Sequence, residues 1–371
     1  MRRRHFEALR PLCPVCRDEN RQFPLAIARS SRERDDSIIE GVLCCTNAQC
    51  QCEYPIIDGI PLIIPAIRDY TSNNNNLLAI LARDDLSETS ESMLGDCCGP
   101  GSPFDKLRQQ LSSYMWDHYG DLDATQRTAE PKPGSALRLL QTGLEAVPGD
   151  PAGPILDVGC GVGRTSFALA ERFEHLVLGV DLHYGMLRLA ARVLRNETVR
   201  YPLRRVGVVY DRRECAARFS RSGNVDFWAC DATALPFASG TFAAALGLSV
   251  LDSAQAPVEF LRSLRGVLAD GAWAVLTCAY DWVATATPFE EWLGGRSQRG
   301  PHGGGADSVL RELLASSTQA AMPGFQVIWE RDGLPWNVRV HERSTVSYRV
   351  HMVVLQAVRG HATLPSSAGR G

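Results

Sequence analysis

An apolar run, Ile155-Leu156, reaches Asp157 and then breaks into Val158-Gly159-Cys160-Gly161-Val162-Gly163-Arg164, a strand that ends in glycines where a helix should begin. Glycines at such a bend let backbone amides approach a ligand closely, and the start of the helix behind them offers unpaired N–H groups. A carboxylate, Asp181, closes the next apolar run 20 residues after Gly161, a spacing at which it can accept hydrogen bonds from ribose hydroxyls. The two features place a nucleoside across the carboxyl edge of a sheet. A nicotinamide fingerprint keeps a small residue three positions after its second glycine, but this chain has Arg164 there. An acid at Asp157 repels a pyrophosphate and suits a ligand that carries an ammonium and a sulfonium.

A second group of reactive side chains lies near the N-terminus, where six of the 12 cysteines fall between Cys13 and Cys52. In a reducing compartment such clusters favour metal ligation over disulfides. Cys13-Pro-Val-Cys16 is a short chelating loop, and Cys45 and Cys50 supply a second pair, together four thiolates for a tetrahedral zinc. Cys44 and Cys52 stay open as alternatives in that second pair. A closed shell of this kind is structural, and ~10 to 16 kcal/mol of metal binding can hold a block too small to fold on its core alone. Cys97 and Cys98 read as surface thiols.

The elements that must position these groups follow from periodicity. Candidate strands fall at 154–158, 176–181, 225–230, 242–249, 272–279, 325–331 and 349–357, and helices at 137–147, 163–172, 184–196, 255–268 and 307–320. The alternation predicts an α/β fold, a doubly wound, mostly parallel seven-stranded sheet of Rossmann-like form. Ahead of it, residues 8–68 form a small β-rich block, in which Asp58-Gly59 between apolar runs signals a hairpin. Residues 69–102 have the composition of a linker, and 103–134 begin with a lead-in helix that repeats Phe104, Leu107 and Leu111 at helical spacing. The main domain spans 135–360, and 361–371 read as a disordered tail. Val199 to Gly223 is an arginine-rich insertion, and Pro335 to Arg343 reads as a connection between the last two strands.

Composition sets the outer bounds. With 45% hydrophobic and 22% charged residues among 371, the chain is ordinary globular material with room for one α/β core and a smaller module. No apolar run approaches the ~18 residues of a membrane span, and the basic start meets Pro11 and Cys13 instead of a secretory apolar stretch, which predicts a cytoplasmic protein. A net charge of -3 gives no global pull toward nucleic acid or anionic lipid.

The run from Ile155 to Thr277 resembles the core of class I S-adenosylmethionine-dependent methyltransferases, in the branch that methylates small molecules and lipid quinones. The match continues through Asp181-Leu182-His183 and Cys230-Asp231-Ala232. The resemblance implies that Asp157, Gly159, Cys160 and Gly161, with Gly163 in the same bend, line the methionine portion of the cofactor. Asp181 and Leu182 would hold the ribose, Asp231 and Ala232 would read adenine, and Leu248 and Ser249 would sit beneath the sulfonium. Relatives usually carry an aspartate after the aromatic residue that here is Phe242, and this chain has Ala243. The cysteine block, above all its ending Tyr54-Pro-Ile-Ile-Asp-Gly-Ile-Pro61, resembles the zinc-ribbon-like domain of the activator subunit of tRNA and protein methyltransferases. That resemblance leaves room for a protein partner on the block.

Methyl transfer is an in-line displacement, so the chain mainly has to align the acceptor, and a base is needed only for a weakly acidic one. Candidate acceptor contacts are Tyr114, His118 and Tyr119 on the lead-in helix, Asp252, Tyr280 in the run Tyr280-Asp281-Trp282 after the fifth strand, and Trp336, His341 and Arg343 near the C-terminus. The reading favoured by the sequence is a methyltransferase acting on a small-molecule or lipid-like acceptor. A tRNA- or protein-modifying enzyme is the first alternative, though no aromatic pair at stacking spacing supports a strand-binding platform. A non-catalytic cofactor-binding adaptor, motivated by Ala243, is the second.

Overall fold

The computed structural model describes residues 1–16, 22–67, 70, 99–126, 130–315, 322 and 324–358. The expected linker at 69–102 lies almost wholly outside these residues, as do Cys97, Cys98 and the expected tail at 361–371.

At the centre stands β5 (Ile155–Val158), buried along its whole length. Both faces of a central parallel strand are covered by helices, so Ile155, Leu156 and Val158 are apolar without alternation, and Asp157 is the exception near the strand's carboxyl end. On one side it pairs in parallel with β6 (Val177–Asp181), which pairs with β9 (Val225–Cys230). On the other it pairs with β10 (Phe242–Leu248), which pairs with β11 (Leu268–Cys278). Beyond β11 the sheet turns antiparallel through β13 (Ser344–Ala357) to an edge at β12 (Phe325–His341). Crossover helices α4 (Arg164–Phe173), α5 (Tyr184–Asn196) and α6 (Pro257–Val267) link the parallel strands and cover them.

All seven expected strands form, but the sheet is mixed and has 11 strands. The four additional ones come from the N-terminal block, where β1 (Leu25–Arg34), β2 (Ser37–Cys45), β3 (Glu53–Ile57) and β4 (Ile60–Ile63) make an antiparallel meander. The hairpin signal at Asp58-Gly59 is realised, with φ of 52° and 80°, the two positive values a tight two-residue turn needs. Strand β4 then joins β9 in parallel, Leu62 opposite Ala229 and Ile63 opposite Cys230, so the block continues the central sheet. A helix that the periodicity did not reveal, α1 (Arg3–Leu9), brings His5 within 3.5 Å of the buried Asp226 carboxylate on β9.

Three further elements frame the carboxyl edge. Helix α2 (Pro103–Tyr119) starts where expected, with the Ser102 hydroxyl accepting from the Asp105 amide and Pro103 at the first turn. Near its end the Asp117 carboxylate accepts from the amides of Gly134, Ser135 and Ala136 at 3.1, 2.6 and 3.1 Å. These amides open α3 (Ser135–Leu144), so a buried anion sits on the positive end of that helix and fixes one helix against the other. The arginine-rich insertion folds as its own hairpin, β7 (Thr198–Val206) with β8 (Val209–Ala216). Val199, Tyr201 and Leu203 face inward while the arginines alternate outward, and the Arg204 amide donates to Ser112 on α2 at 2.8 Å. The expected connection at Pro335 to Arg343 is a correction: it lies within β12, which runs to His341, and the chain turns only at Glu342-Arg343. Helix α7 (Ala306–Leu314) is the described part of the helix expected at 307–320. Among the described residues, no helix is long and apolar enough to cross a membrane.

Candidate functional site

The glycine bend after β5 holds three left-handed backbone positions, Gly159, Gly161 and Gly163, at φ of 66°, 55° and 84°. Their reasons differ. A side-chain carbon on Gly159 would meet Val250 at 2.4 Å, and one on Gly163 would meet the Phe227 ring at 2.5 Å. Both glycines therefore serve close packing, whereas at Gly161 the neighbours, Tyr114 and Met186, stand at ordinary contact distances of 3.7 and 3.8 Å and leave room for a side-chain carbon. Asp181 locks the bend: one carboxylate oxygen accepts from the Gly161 amide at 2.9 Å, the other from His183 at 2.7 Å. Asp157 lies almost wholly buried, and one of its oxygens accepts from the hydroxyls of Thr165 and Ser166 at 2.7 and 2.6 Å. Burial, helped by the nearby Asp181 charge, pushes its carboxyl up to about 6 in spite of those hydroxyls.

A cavity of about 400 Å³ opens along the ends of β5, β6, β9 and β10, a volume within the usual range for small-molecule sites. Asp157, Gly159, Gly161, Asp181, Leu182, Asp231, Ala232, Leu248 and Ser249 all line it. Cys160 and Gly163 do not: the Cys160 side chain is buried in the core, and Gly163 seats α4 on β9. Arg164 also stays outside, paired with Asp121 at 2.9 Å and stacked over the Phe219 ring. The Asp231 carboxylate accepts from the amide and hydroxyl of Thr233 at 2.8 and 2.7 Å. Among the described residues, three buried polar atoms of the lining have no partner, Nδ1 of His118, Oγ of Ser249 and Nε1 of Trp336. Burial, with the Arg164 charge, lowers His118 to about 3, so the ring is neutral near pH 7.

A second cavity, about 390 Å³, adjoins the first and shares Gln110, Tyr114, Ser249, Ser253 and Trp336 with it. Of the acceptor contacts expected from sequence, Tyr114, Asp252 and Trp336 line this chamber and His118 lines the first. Tyr119 is turned into the core, its hydroxyl donating to the Val162 carbonyl at 2.7 Å. Tyr280 is likewise engaged elsewhere, with its hydroxyl 2.6 Å from Nδ1 of His351, while His341 and Arg343 sit at the far end of the β12–β13 hairpin and line neither cavity. Asp281, from the expected run Tyr280-Asp281-Trp282, lines the second chamber, as do Tyr348 and Ser253, which the sequence did not single out. Asp281 lies beside Tyr280 in sequence, but only the turn after β11 shows which of the two faces the chamber.

Residues 156–276 match the family model described as methyltransferase domain. This segment, about a third of the chain, is similar to a methyltransferase domain. No curated protein matches the chain. Among solved structures, the [4+2]-cyclase SpnF is 16% identical, with 68% of this chain and 97% of that one covered and a TM-score of 0.40. The complex of the Haloferax volcanii Trm112 methyltransferase activator with a putative methyltransferase is 13% identical, with 69% and 99% covered and a TM-score of 0.41. A SAM-dependent methyltransferase from Aquifex aeolicus is 15% identical, with 61% and 94% covered and a TM-score of 0.35.

Outside the matched segment, the sulfurs of Cys13, Cys16, Cys45 and Cys50 all lie within 4.8 Å of one another. Cys13 and Cys50 are 3.7 Å apart and Cys16 and Cys45 3.4 Å, close to the ~3.8 Å edge of a tetrahedron with metal–sulfur bonds of ~2.3 Å. Cys44 and Cys52, the open alternatives, are not in this group. The Tyr54 hydroxyl lies 3.2 Å from the Cys13 sulfur.

Proposed function

We propose that the chain is an S-adenosylmethionine-dependent methyltransferase that acts on a small-molecule acceptor. One observation carries the reading. The cavity at the carboxyl ends of the parallel strands holds Asp157, Asp181 and Asp231, and no lysine or arginine is among its described lining residues. Such a wall attracts a ligand of net positive charge and repels a dinucleotide pyrophosphate. In this reading Asp157, Gly159 and Gly161 hold the methionine portion, Asp181 and Leu182 the ribose, Asp231 and Ala232 the adenine, and Leu248 and Ser249 flank the sulfonium. The unpartnered His118 and Ser249 atoms give the ligand two polar contacts.

When bound, the cofactor supplies an activated methyl group. The chain has to orient the acceptor, and well-aligned reactants lower a barrier by ~7 to 11 kcal/mol. The shared wall of Tyr114, Ser249 and Trp336 supplies that alignment, because it belongs to both cavities. The four clustered cysteines, 13, 16, 45 and 50, are proposed to hold a structural zinc within the block at 8–68, and a protein partner is proposed to bind that block. Helix α2, in the proposed lead-in segment at 103–134, supplies Tyr114 to both cavities of the proposed main domain at 135–360.

Calorimetry on the pure protein tests the cofactor reading. Uptake of S-adenosylmethionine and of S-adenosylhomocysteine is expected, with no heat from NADH. Tight binding of the dinucleotide with neither methyl donor nor its product bound would overturn it.

A further inference from the structure

The second chamber has a composition that selects its occupant. Its polar wall carries Asp117, Asp252 and Asp281, its aromatic wall Tyr114, Trp336 and Tyr348, and its apolar floor Ala279, Val283 and Val338, with no lysine, arginine or histidine among the described lining residues. Asp117 is already saturated by three amides of α3. Asp252 is different. It is 6% exposed, it accepts from the Asp281 amide at 3.1 Å, and it forms no ion pair among the described residues. A buried carboxylate without a cation is costly, and the cavity beside it is where a cation can be placed. Asp281 is exposed at the same chamber and takes a hydrogen bond from the Tyr348 hydroxyl, so a second negative charge faces the occupant.

From this cavity we infer that the acceptor is an amine, bound as its ammonium between the Asp252 and Asp281 carboxylates and the faces of Tyr114, Trp336 and Tyr348. The inference rests on the cofactor reading of the first cavity and adds the acceptor class. Ammonium over aromatic faces is attracted by the ring quadrupoles, which strengthens the selection. The other polar lining residues, Gln109, Gln110, Ser113, Ser249 and Ser253, are neutral, so a carboxylate, phosphate or phenolate acceptor would meet the charges of Asp252 and Asp281 with no cation to offset them, and a neutral alcohol would leave Asp252 without a counter-charge. An ammonium has no lone pair, so it first gives a proton to Asp252, which becomes the carboxylic acid. Burial already raises that carboxyl above the ordinary aspartate range, in the direction that lets it accept the proton. The freed nitrogen pair then forms the bond to the methyl carbon as the carbon–sulfur bond breaks. Its electrons stay on sulfur and the positive charge passes to nitrogen.

The test is titration of three probes that share a phenethyl group into the full-length protein loaded with S-adenosylhomocysteine: phenethylamine, phenethyl alcohol and phenylpropanoate. Prior heat from S-adenosylhomocysteine shows that the first cavity works, so a failure of the cofactor reading is seen separately. Phenethylamine is expected to bind at least about tenfold more tightly than either other probe, the contrast that a charge-assisted contact gives. Asp252→Asn should lower amine affinity about tenfold and leave the alcohol unchanged. If that variant does not fold, the exposed Asp281→Asn is expected to lower it by about threefold. Equal or tighter binding of the alcohol or the acid, or no binding of any probe to the loaded protein, overturns the inference.

Discussion

Asp157 is a buried carboxylate whose charge is only partly stabilised by two hydroxyls, and this shapes how the first cavity responds to pH. Its carboxyl is raised to about 6. A raised carboxyl holds its proton more firmly folded than unfolded, so the stability it contributes is full below the unfolded value and is lost as pH rises through about 6. A cationic ligand favours the ionised form and reverses that preference. Affinity for S-adenosylmethionine is therefore expected to be full above about pH 6 and to decline as pH falls through it, with proton release on binding near that pH. Calorimetry in buffers of different ionisation enthalpy checks this, and Asp157→Asn should flatten the profile. Two neighbouring substitutions test the bend itself. Gly161→Arg forces a side chain into a left-handed position that costs ~1 to 2 kcal/mol and fills the cavity, and Asp181→Ala releases the two amides it holds. Each is expected to weaken S-adenosylhomocysteine binding at least about 100-fold in calorimetry, while the cysteine block stays folded.

Helix α2 is the element on which both cavities depend, since it supplies Tyr114 to both and His118 to the first. Among the contacts that set its position are Ser112 under β7, Asp117 on the start of α3, and the Tyr119 hydroxyl on the Val162 carbonyl. Asp117→Asn keeps the size but removes the charge facing three amides. It is expected to destabilise the fold by about 1 to 3 kcal/mol in urea denaturation, and to loosen S-adenosylhomocysteine binding only modestly. The hairpin β7–β8 was unreadable as an element because its outward arginines and Pro202 obscure the alternation of Val199, Tyr201 and Leu203. Helix α2, by contrast, was readable from spacing and its Ser-Pro start.

At the scale of the molecule, β4 makes the N-terminal meander part of the central sheet, beside the strand that carries Asp231 at its end. The His5–Asp226 contact adds a buried polar tie across the same boundary. Loss of metal from the cysteine cluster should therefore be felt by the whole chain. Purified protein is expected to carry about one zinc, measured by plasma mass spectrometry, and Cys16→Ser should lower the metal content. Scanning calorimetry of that variant should show one cooperative transition at reduced temperature. A separate early transition with the main one unmoved would indicate that the block unfolds alone.

The sequence by itself determined the glycine bend, the acids at 157, 181 and 231 and the strands that carry them, together with the four cysteines that gather. These features are local. A left-handed turn needs glycine, a central strand needs continuous apolar residues, and a chelating pair needs short spacing. Only the tertiary structure decided that Trp336 shares a wall with Tyr114, that Tyr280 turns to His351 while Asp281 faces the chamber, and that the meander extends the sheet to 11 strands. Those outcomes depend on register between strands far apart in the chain and on which face each turn presents, and no short-range pattern encodes either.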